Sequence, residues 1–168
     1  MIETNRLYIK PLTYTQLLKY VQGGNQLEEE LNLNYNSRII SSELKDALET
    51  SILPNVKDKN KNYLFYTLWT VISKIDNKMV ADLCFVGEPN NAGEVEIGYG
   101  TYKDFQNKGY MTEAVNGMIE WAKNQVNIKS IIASSEKSNT ASSKVLEKNN
   151  FKKIAETESL YNWKFNIK

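Results

Sequence analysis

The feature that most constrains the fold is the period of two with which apolar residues recur in the middle of the chain. Residues 63–75, 79–86 and 94–102 alternate in this way, which is typical of strands. The segments between them, residues 76–78 and 90–93, are short and rich in Asn and Gly. Strands joined by such short turns run antiparallel. We therefore predict a three-stranded antiparallel meander.

A different pattern follows the meander. Residues 109–125 are apolar at helical spacing, and residues 129–134 form a short apolar run typical of a buried strand. A second helix over residues 139–148 and two closing strands, 151–156 and 160–167, complete this half of the chain. The order strand, helix, strand requires one crossover connection, so the predicted sheet is mixed.

The first third of the chain is predicted to be mainly helical. Residues 7–12 alternate as an opening strand, and Thr13 then caps a helix that ends at Gly23. Ser41 caps a further helix, which we expect Pro54 to close. No repeat or linker divides the chain, so residues 1–168 are predicted to be a single domain of the α+β class.

Composition excludes several kinds of chemistry. The chain has no histidine, which removes serine–histidine and cysteine–histidine pairs and the usual zinc ligand sets, so no metal is expected. The formal net charge is +1, so the chain as a whole does not attract nucleic acid electrostatically. No apolar run is long enough for a membrane span. The one cysteine, Cys84, lies in an apolar run and is expected to be buried and unreactive. These observations predict a cytoplasmic protein with neither nucleic-acid nor membrane partners.

The most informative segment joins the third strand of the meander to the long helix. A short polar loop, Gln106-Asn107-Lys108-Gly109, leads directly into the helix. The first backbone N–H groups of a helix have no partner within it, and with the helix dipole they attract anions. Glycine at the turn lets a phosphate approach closely. The segment matches neither the P-loop pattern nor a dinucleotide fingerprint.

Four segments of the chain together carry a family resemblance. The loop and helix start, residues 106–111, resemble the Gln/Arg-x-x-Gly-x-Gly/Ala signature of GNAT-superfamily acetyltransferases. Residues 3–12, 96–114 and 139–151 are similar to segments of the Rim-like branch, the ribosomal-protein N-acetyltransferase type. The resemblance implies a three-layer fold with a central mixed, mostly antiparallel sheet flanked by helices. Met111 and Asn150 depart from the pattern, and we expect Met111 to point into the core and Asn150 to adopt the left-handed conformation that ends the helix.

The resemblance implies that the chain binds acetyl-CoA, with the pantetheine arm along the strand 94–102 and the diphosphate at the loop. The residues that it places at the cofactor are Tyr99, Gly100, Thr101, Gln106, Asn107, Lys108, Gly109, Tyr110, Met111, Thr112, Asn139 and Ser142. The implied reaction is direct attack of a primary amine, on a protein N-terminus or a small molecule, on the thioester.

Three residues are the catalytic candidates. An N–H around Tyr99 is predicted to hydrogen-bond the thioester carbonyl oxygen, and Glu96 to take the proton of the amine, with Glu94 as the weaker candidate. The resemblance offers Ser142 as the donor to the leaving sulfur, since the tyrosine that many GNAT enzymes use falls at Leu146 here.

Several alternatives stay open on the sequence alone. A non-catalytic acyl-CoA sensor or a general phosphate binder would keep the same loop. The glycines at 98 and 100 could serve packing alone, and Ser142 could serve only the first turn of its helix. The acidic run 28–30 could attract a cationic amine, although a solvated helix face is the favoured interpretation. The acceptor is undetermined, and a homodimer is possible.

Overall fold

The computed structural model describes residues 1–167. Eight strands form one sheet in the order β1-β2-β3-β4-β5-β6-β8-β7. All neighbours pair antiparallel except β5 and β6, which are parallel, so the sheet is mixed and mostly antiparallel, as predicted. The strands are β1 (Ile2–Glu3), β2 (Leu7–Pro11), β3 (Leu68–Ser73), β4 (Lys78–Phe85), β5 (Glu94–Thr101), β6 (Ser130–Glu136), β7 (Lys152–Glu156) and β8 (Leu160–Asn166).

Six α-helices flank the sheet, and side-chain caps fix where three of them begin. The helices are α1 (Tyr14–Gln22), α2 (Gln26–Glu30), α3 (Ser42–Ala47), α4 (Leu53–Lys57), α5 (Tyr110–Lys123) and α6 (Thr140–Lys148). The side chains of Thr13, Ser41 and Asn139 each accept a hydrogen bond from a backbone N–H in the first turn that follows. None of the helices within residues 1–167 has the length and apolar character that crossing a membrane requires.

The expectation that Pro54 closes the second predicted helix is wrong. Helix α3 passes through a π-helical turn, Leu48–Ile52, into α4, and Pro54 occupies the first turn of α4. Proline has no N–H to donate and is tolerated in a first turn. The wide π turn therefore carries the chain past Pro54 without a break.

The helices form two layers, one on each face of the sheet. Helix α5 buries one side against the apolar residues of β2 to β5, with α6 beside it, while α1 to α4 cover the opposite face. Met111 points into the core and is 5% exposed, as expected. Asn150 adopts a left-handed conformation with φ of 63°, as expected from its place after α6. The three-layer α+β class is confirmed.

Strands β5 and β6 separate soon after they begin. Only three residue pairs join them, Glu94 with Ser130, Val95 with Ile131 and Glu96 with Ile132. Beyond this point β5 continues to pair with β4, whereas β6 continues to pair with β8. A wedge-shaped opening therefore splits the sheet at its centre.

Close packing of α5 against the first strands predicts the effect of a substitution at Gly117. A β-carbon there would lie 3.0 Å from Ile9 Cδ1 and 3.1 Å from Thr4 Cγ2. We expect Gly117→Val to lower the free energy of unfolding by about 1–3 kcal/mol, because overpacking displaces these neighbours. Urea denaturation measures the change, and Asn116→Val at the exposed neighbouring position is the control. Equal losses in the two variants would contradict the close approach.

Candidate functional site

The open edge of β5 is the first element of the candidate site. In an antiparallel pair, alternate residues direct both their N–H and C=O groups to the same neighbour. Glu96 C=O accepts a hydrogen bond from Val86 N–H (2.9 Å), and Tyr102 N–H donates to Val80 C=O (3.0 Å), both on the β4 side. Intervening odd-numbered residues, Tyr99 among them, therefore direct their backbone groups toward the opening that β6 leaves.

A cavity of about 510 Å³ lies along this edge and continues to the start of α5. Eleven of the twelve predicted cofactor residues line it, namely Tyr99, Gly100, Thr101, Gln106, Asn107, Gly109, Tyr110, Met111, Thr112, Asn139 and Ser142. The exception is Lys108, whose Nζ lies 5.0 Å from the centre of the Phe105 ring and which does not line the cavity. The strand, the loop and two helix starts are thus brought to one place.

The loop before α5 has the backbone shape of an anion site. Asn107 and Gly109 both adopt left-handed conformations, with φ of 60° and 78°. Such residues within a turn direct successive N–H groups into a concave surface. The first-turn N–H groups of α5 have no helical partner and add to it. The arrangement fits a phosphate or diphosphate group.

Arg6, which precedes β2, hydrogen-bonds to both this loop and the first turn of α5. Its Nη1 donates to Lys108 C=O (2.9 Å), and its Nε donates to Glu113 Oε2 (2.6 Å) on the first turn of α5. Burial alone would raise the pKa of Glu113, but the hydrogen bonds from Thr4 and Arg6 outweigh it and lower the pKa. A β-carbon at Gly109 would lie 3.3 Å from Arg6 Nη2. The left-handed backbone therefore favours glycine at this position, and a β-carbon would also displace the end of the Arg6 side chain by a few tenths of an ångström.

The side chain of Tyr99 reaches across the opening to α6. Its hydroxyl lies 3.0 Å from Ser142 Oγ and 3.1 Å from the Ser142 carbonyl oxygen, within hydrogen-bonding distance of both. Ser142 N–H donates to Asn139 Oδ1 (3.0 Å), so Asn139 caps α6. Leu146, at the position that the resemblance associates with a tyrosine, is fully buried. Tyr99 and Ser142 are therefore the hydroxyl groups that meet at the wedge.

The two glutamates of β5 differ in their surroundings. Glu94 Oε1 accepts a hydrogen bond from Lys164 Nζ (2.5 Å), and this contact lowers the pKa of the Glu94 carboxyl. Glu96 is half-buried and forms no ion pair within residues 1–167. It shares a face of β5 with Gly98 and Gly100, since alternate strand residues point the same way. Of the two carboxylates, Glu96 is the one without a cationic partner among residues 1–167.

A second cavity, of about 650 Å³, lies on the opposite face of β5, beneath the segment that precedes α3. A β-carbon at Gly100 would meet nothing within 4 Å, and one at Gly98 would be in ordinary contact with Cys84 Sγ at 3.7 Å. Packing therefore does not require glycine at either position. The missing side chains leave the face of β5 open to this cavity.

Cys84 lines this second cavity as a protonated thiol. Burial, followed by the nearby negative charges of Asp82 and Glu96, raises the pKa of Cys84 to about 11. The thiol is therefore a weak nucleophile at neutral pH. The expectation that Cys84 is buried is wrong, because the residue is partly exposed to this cavity, whereas the raised pKa agrees with the expected low reactivity.

Asp82 is a buried carboxylate in the wall of the same cavity. Its Oδ2 accepts hydrogen bonds from the hydroxyls of Tyr20 (2.6 Å) and Tyr102 (2.7 Å). Burial raises the pKa of Asp82, and the two phenols oppose this effect by stabilising the charged form. A polar group thus sits at the base of an otherwise largely apolar wall.

The acidic run at residues 28–30 does not form a solvated helix face throughout, so that interpretation is wrong for Glu28. The Glu28 carboxylate pairs with Arg38, and both side chains are almost fully buried. The Arg38 guanidinium also stacks over the Tyr20 ring, 4.5 Å from its centre. Glu30 pairs with Lys19 near the surface. The run therefore anchors the segment that covers the second cavity.

The sequence alone did not predict the contacts that three residues, Asp82, Arg6 and Arg38, make at the site. Asp82 interrupts an otherwise apolar strand, and that position alone is a signal of a buried polar site. Arg6 and Arg38 give no comparable signal, because their partners lie 107 and 10 residues away and the fold creates the contacts. No group of His, Cys, Asp and Glu side chains within residues 1–167 is arranged to hold a metal ion.

Comparison with known proteins decides the family. Residues 6–152 match the acetyltransferase (GNAT) domain. The chain belongs to the GNAT acetyltransferase family. This GNAT chain is 29% identical over 151 residues to "Uncharacterized N-acetyltransferase YjdG" of Bacillus subtilis strain 168, and the match covers 90% of this chain and 89% of that protein.

Solved structures share the fold of this GNAT chain over nearly its whole length. A GNAT-family acetyltransferase from Bacillus anthracis has a TM-score of 0.67 at 17% identity, covering 99% of this chain and 98% of that one. The ribosomal-protein-S5-alanine acetyltransferase of Vibrio fischeri gives 0.68 at 18%, covering 98% and 94%. RimL, a ribosomal L7/L12 α-N-protein acetyltransferase solved with coenzyme A, gives 0.67 at 14%, covering 97% and 95%. Rim-type enzymes are thus among the structural neighbours, as the sequence resemblance predicted.

Family membership makes the chain an acetyltransferase, an enzyme of the class that uses acetyl-CoA and acts on an acceptor substrate.

The buried carboxyl of Asp82 predicts how stability depends on pH. Its folded-state pKa is raised, so its favourable contribution is present at low pH and is lost as the pH rises through the folded-state value. Asparagine cannot ionise, so the stability of the wild type relative to Asp82→Asn should fall as the pH rises above about 4, the ordinary pKa of an aspartate. Urea denaturation at intervals of one pH unit measures this difference. Asp46→Asn at an exposed position is the control, and a difference that rises with pH would contradict the assignment.

Proposed function

We propose that this chain transfers the acetyl group of acetyl-CoA to a primary amine by direct attack on the thioester, and that residues 1–168 form one acetyltransferase domain. One observation carries the proposal. The two cavities lie on opposite faces of β5 and share part of their lining, namely Tyr99, Gly100, Thr101, Phe105 and Gln106. A cofactor on one side and an acceptor on the other would therefore meet at the same stretch of strand.

The residues along the first cavity fit coenzyme A. The concave N–H groups around Asn107 and Gly109 and the first turn of α5 match a diphosphate, which carries negative charge and only hydrogen-bond acceptors. The unpaired backbone edge of β5 at Tyr99 matches the amide groups of a pantetheine arm, which would hydrogen-bond to it as a neighbouring strand does. When bound, acetyl-CoA supplies a thioester whose carbonyl carbon an amine can attack.

The backbone N–H of Tyr99 is proposed to stabilise the negative charge that develops on the thioester oxygen. It lies on the odd-numbered side of β5, where β6 no longer provides an acceptor. A fixed donor of this kind, held in place by the β4–β5 ladder, needs no rearrangement when the charge forms. In other enzymes one such donor contributes about 10²–10³ in rate.

Glu96 is proposed as the base that takes the proton of the acceptor amine, directly or through water. Its side chain is on the face of β5 that carries the second cavity, two residues before the lining residue Gly98, and it does not pair with Lys164 as Glu94 does. An ammonium group cannot attack a carbonyl carbon, so the proton must leave first. Ser142, at the wedge on the cofactor side, is proposed as the donor to the departing sulfur.

The second cavity is proposed as the place of the acceptor. The neighbouring structures include acetyltransferases of ribosomal proteins, which favours a peptide N-terminus, and a small-molecule amine is the other candidate. Asp82, Lys103 and Asp104 line this cavity together with Arg38, which Glu28 already pairs, so the charges of the lining do not select a cationic acceptor over an anionic one.

A charge at Thr112 tests the cofactor site. Thr112 lines the first cavity within the first turn of α5. We expect Thr112→Glu to raise the Kd for coenzyme A at least about tenfold, because a carboxylate would face the diphosphate, while the melting temperature holds, since acidic residues suit a helix N-terminus. Calorimetry with coenzyme A measures the affinity. Thr112→Gln is the uncharged control of the same size. Unchanged binding in Thr112→Glu would contradict the placement of the diphosphate at this position.

The role of Glu96 is tested by turnover, measured as release of free thiol from acetyl-CoA with a panel of amines. We expect Glu96→Gln to lower kcat by about 10²-fold at neutral pH, with a smaller loss at high pH, where more of the amine is already uncharged. Glu94→Gln is the matched control on the same strand and should retain activity. If Glu96→Gln matched the wild-type rates throughout, or Glu94→Gln were the impaired variant, Glu96 would not be the base.

A further inference from the structure

The hydroxyl of Tyr99 has two acceptors on one residue of α6. It lies 3.0 Å from Ser142 Oγ and 3.1 Å from Ser142 C=O. A phenol has a single proton to donate. The hydroxyl can therefore donate to the carbonyl oxygen or to Oγ, and the two distances are too similar to favour either one.

The direction of this bond determines where the proton of Ser142 points. When Tyr99 donates to the carbonyl of Ser142, its oxygen is free to accept, and Ser142 O–H is directed back at Tyr99. When Tyr99 donates to Oγ, Ser142 has no acceptor on that side and its proton turns into the cofactor cavity. A hydroxyl that accepts a hydrogen bond is also a better donor, because linked bonds polarise one another.

We propose that the Tyr99 side chain is a positioning residue that switches the Ser142 hydroxyl between these two states, so that Ser142 donates to the sulfur of the departing thiolate. The switch rests on the proposed acetyl transfer and adds to it a role for the Tyr99 side chain, separate from that of its backbone N–H. No proton leaves Tyr99 in this arrangement. Only its hydrogen-bond direction changes, and the C–S bond breaks with its electron pair on sulfur.

The surroundings of Tyr99 suit a group that stays protonated. Burial raises the pKa of the Tyr99 phenol, and the contact with Ser142 only partly opposes this effect. Tyr99 therefore remains a neutral donor at neutral pH. Both side chains line the cavity along the open edge of β5, so the switch lies beside the strand that would present the thioester.

A double-mutant cycle with Tyr99→Phe, Ser142→Ala and the double variant tests the proposal. We expect Tyr99→Phe to lower kcat about tenfold and Ser142→Ala by about ten- to a hundredfold, as for a lost hydrogen bond to a charged group. In the Ser142→Ala background, Tyr99→Phe should cost nothing further, because it acts through Ser142 Oγ. Tyr99 keeps its carbonyl partner in that background, so no buried hydroxyl is left unpaired.

Coenzyme A affinity and melting temperature separate this role from a structural one. The affinity should stay at the wild-type value in Tyr99→Phe, and the melting temperature should fall only slightly, because one hydrogen bond to α6 is lost. Tyr66→Phe, which loses a phenol contact to Glu88 at the surface, is the matched control. Equal losses of kcat in both backgrounds, a wild-type kcat in Tyr99→Phe or Ser142→Ala, or a loss confined to coenzyme A affinity would each overturn the switch. Lack of thiol release by the wild type with every amine would instead overturn the acetyl transfer on which it rests.

Discussion

The separation of β5 and β6 after Glu96 leaves backbone N–H and C=O groups of β5 without strand partners in the middle of the sheet. Unpaired peptide groups there make the fold less stable than a completed strand pairing would, unless a ligand forms the missing hydrogen bonds. The rest of the structure maintains this opening. Strand β4 holds β5 on one side, β8 holds β6 on the other, and α5 and α6 begin at the mouth of the wedge.

The same stretch of β5 serves two faces because of its glycines. Gly98 and Gly100 remove the side chains that would separate the second cavity from the strand, while Tyr99 between them points toward α6. A cofactor and an acceptor can then approach opposite sides of one short backbone segment. Proximity of this kind converts a reaction between two molecules into one within a complex, which accounts for a large share of many enzymatic rate gains.

The elements that local sequence controls were predictable. The cap at Thr13, the αL residue at Asn150 and the loop before α5 depend on neighbours within a few positions, and the structure matches the prediction at each. What long-range contacts control was not predictable. The π turn lets a helix run past Pro54, and Glu28 is buried only because Arg38 returns to it. The Lys108 side chain lies over the Phe105 ring and does not line the cavity, which the loop sequence did not indicate.

The hydrogen bonds from Arg6 to the loop before α5 and to its first turn have a consequence for folding. The residues that they join are more than a hundred positions apart, and contacts of such long range form slowly because closing a long loop costs conformational entropy. The concave amide surface would thus mature at the stage when β2 docks beside α5. A coenzyme that recognised this surface would bind the folded chain and not the unfolded one, and by mass action it would stabilise the fold.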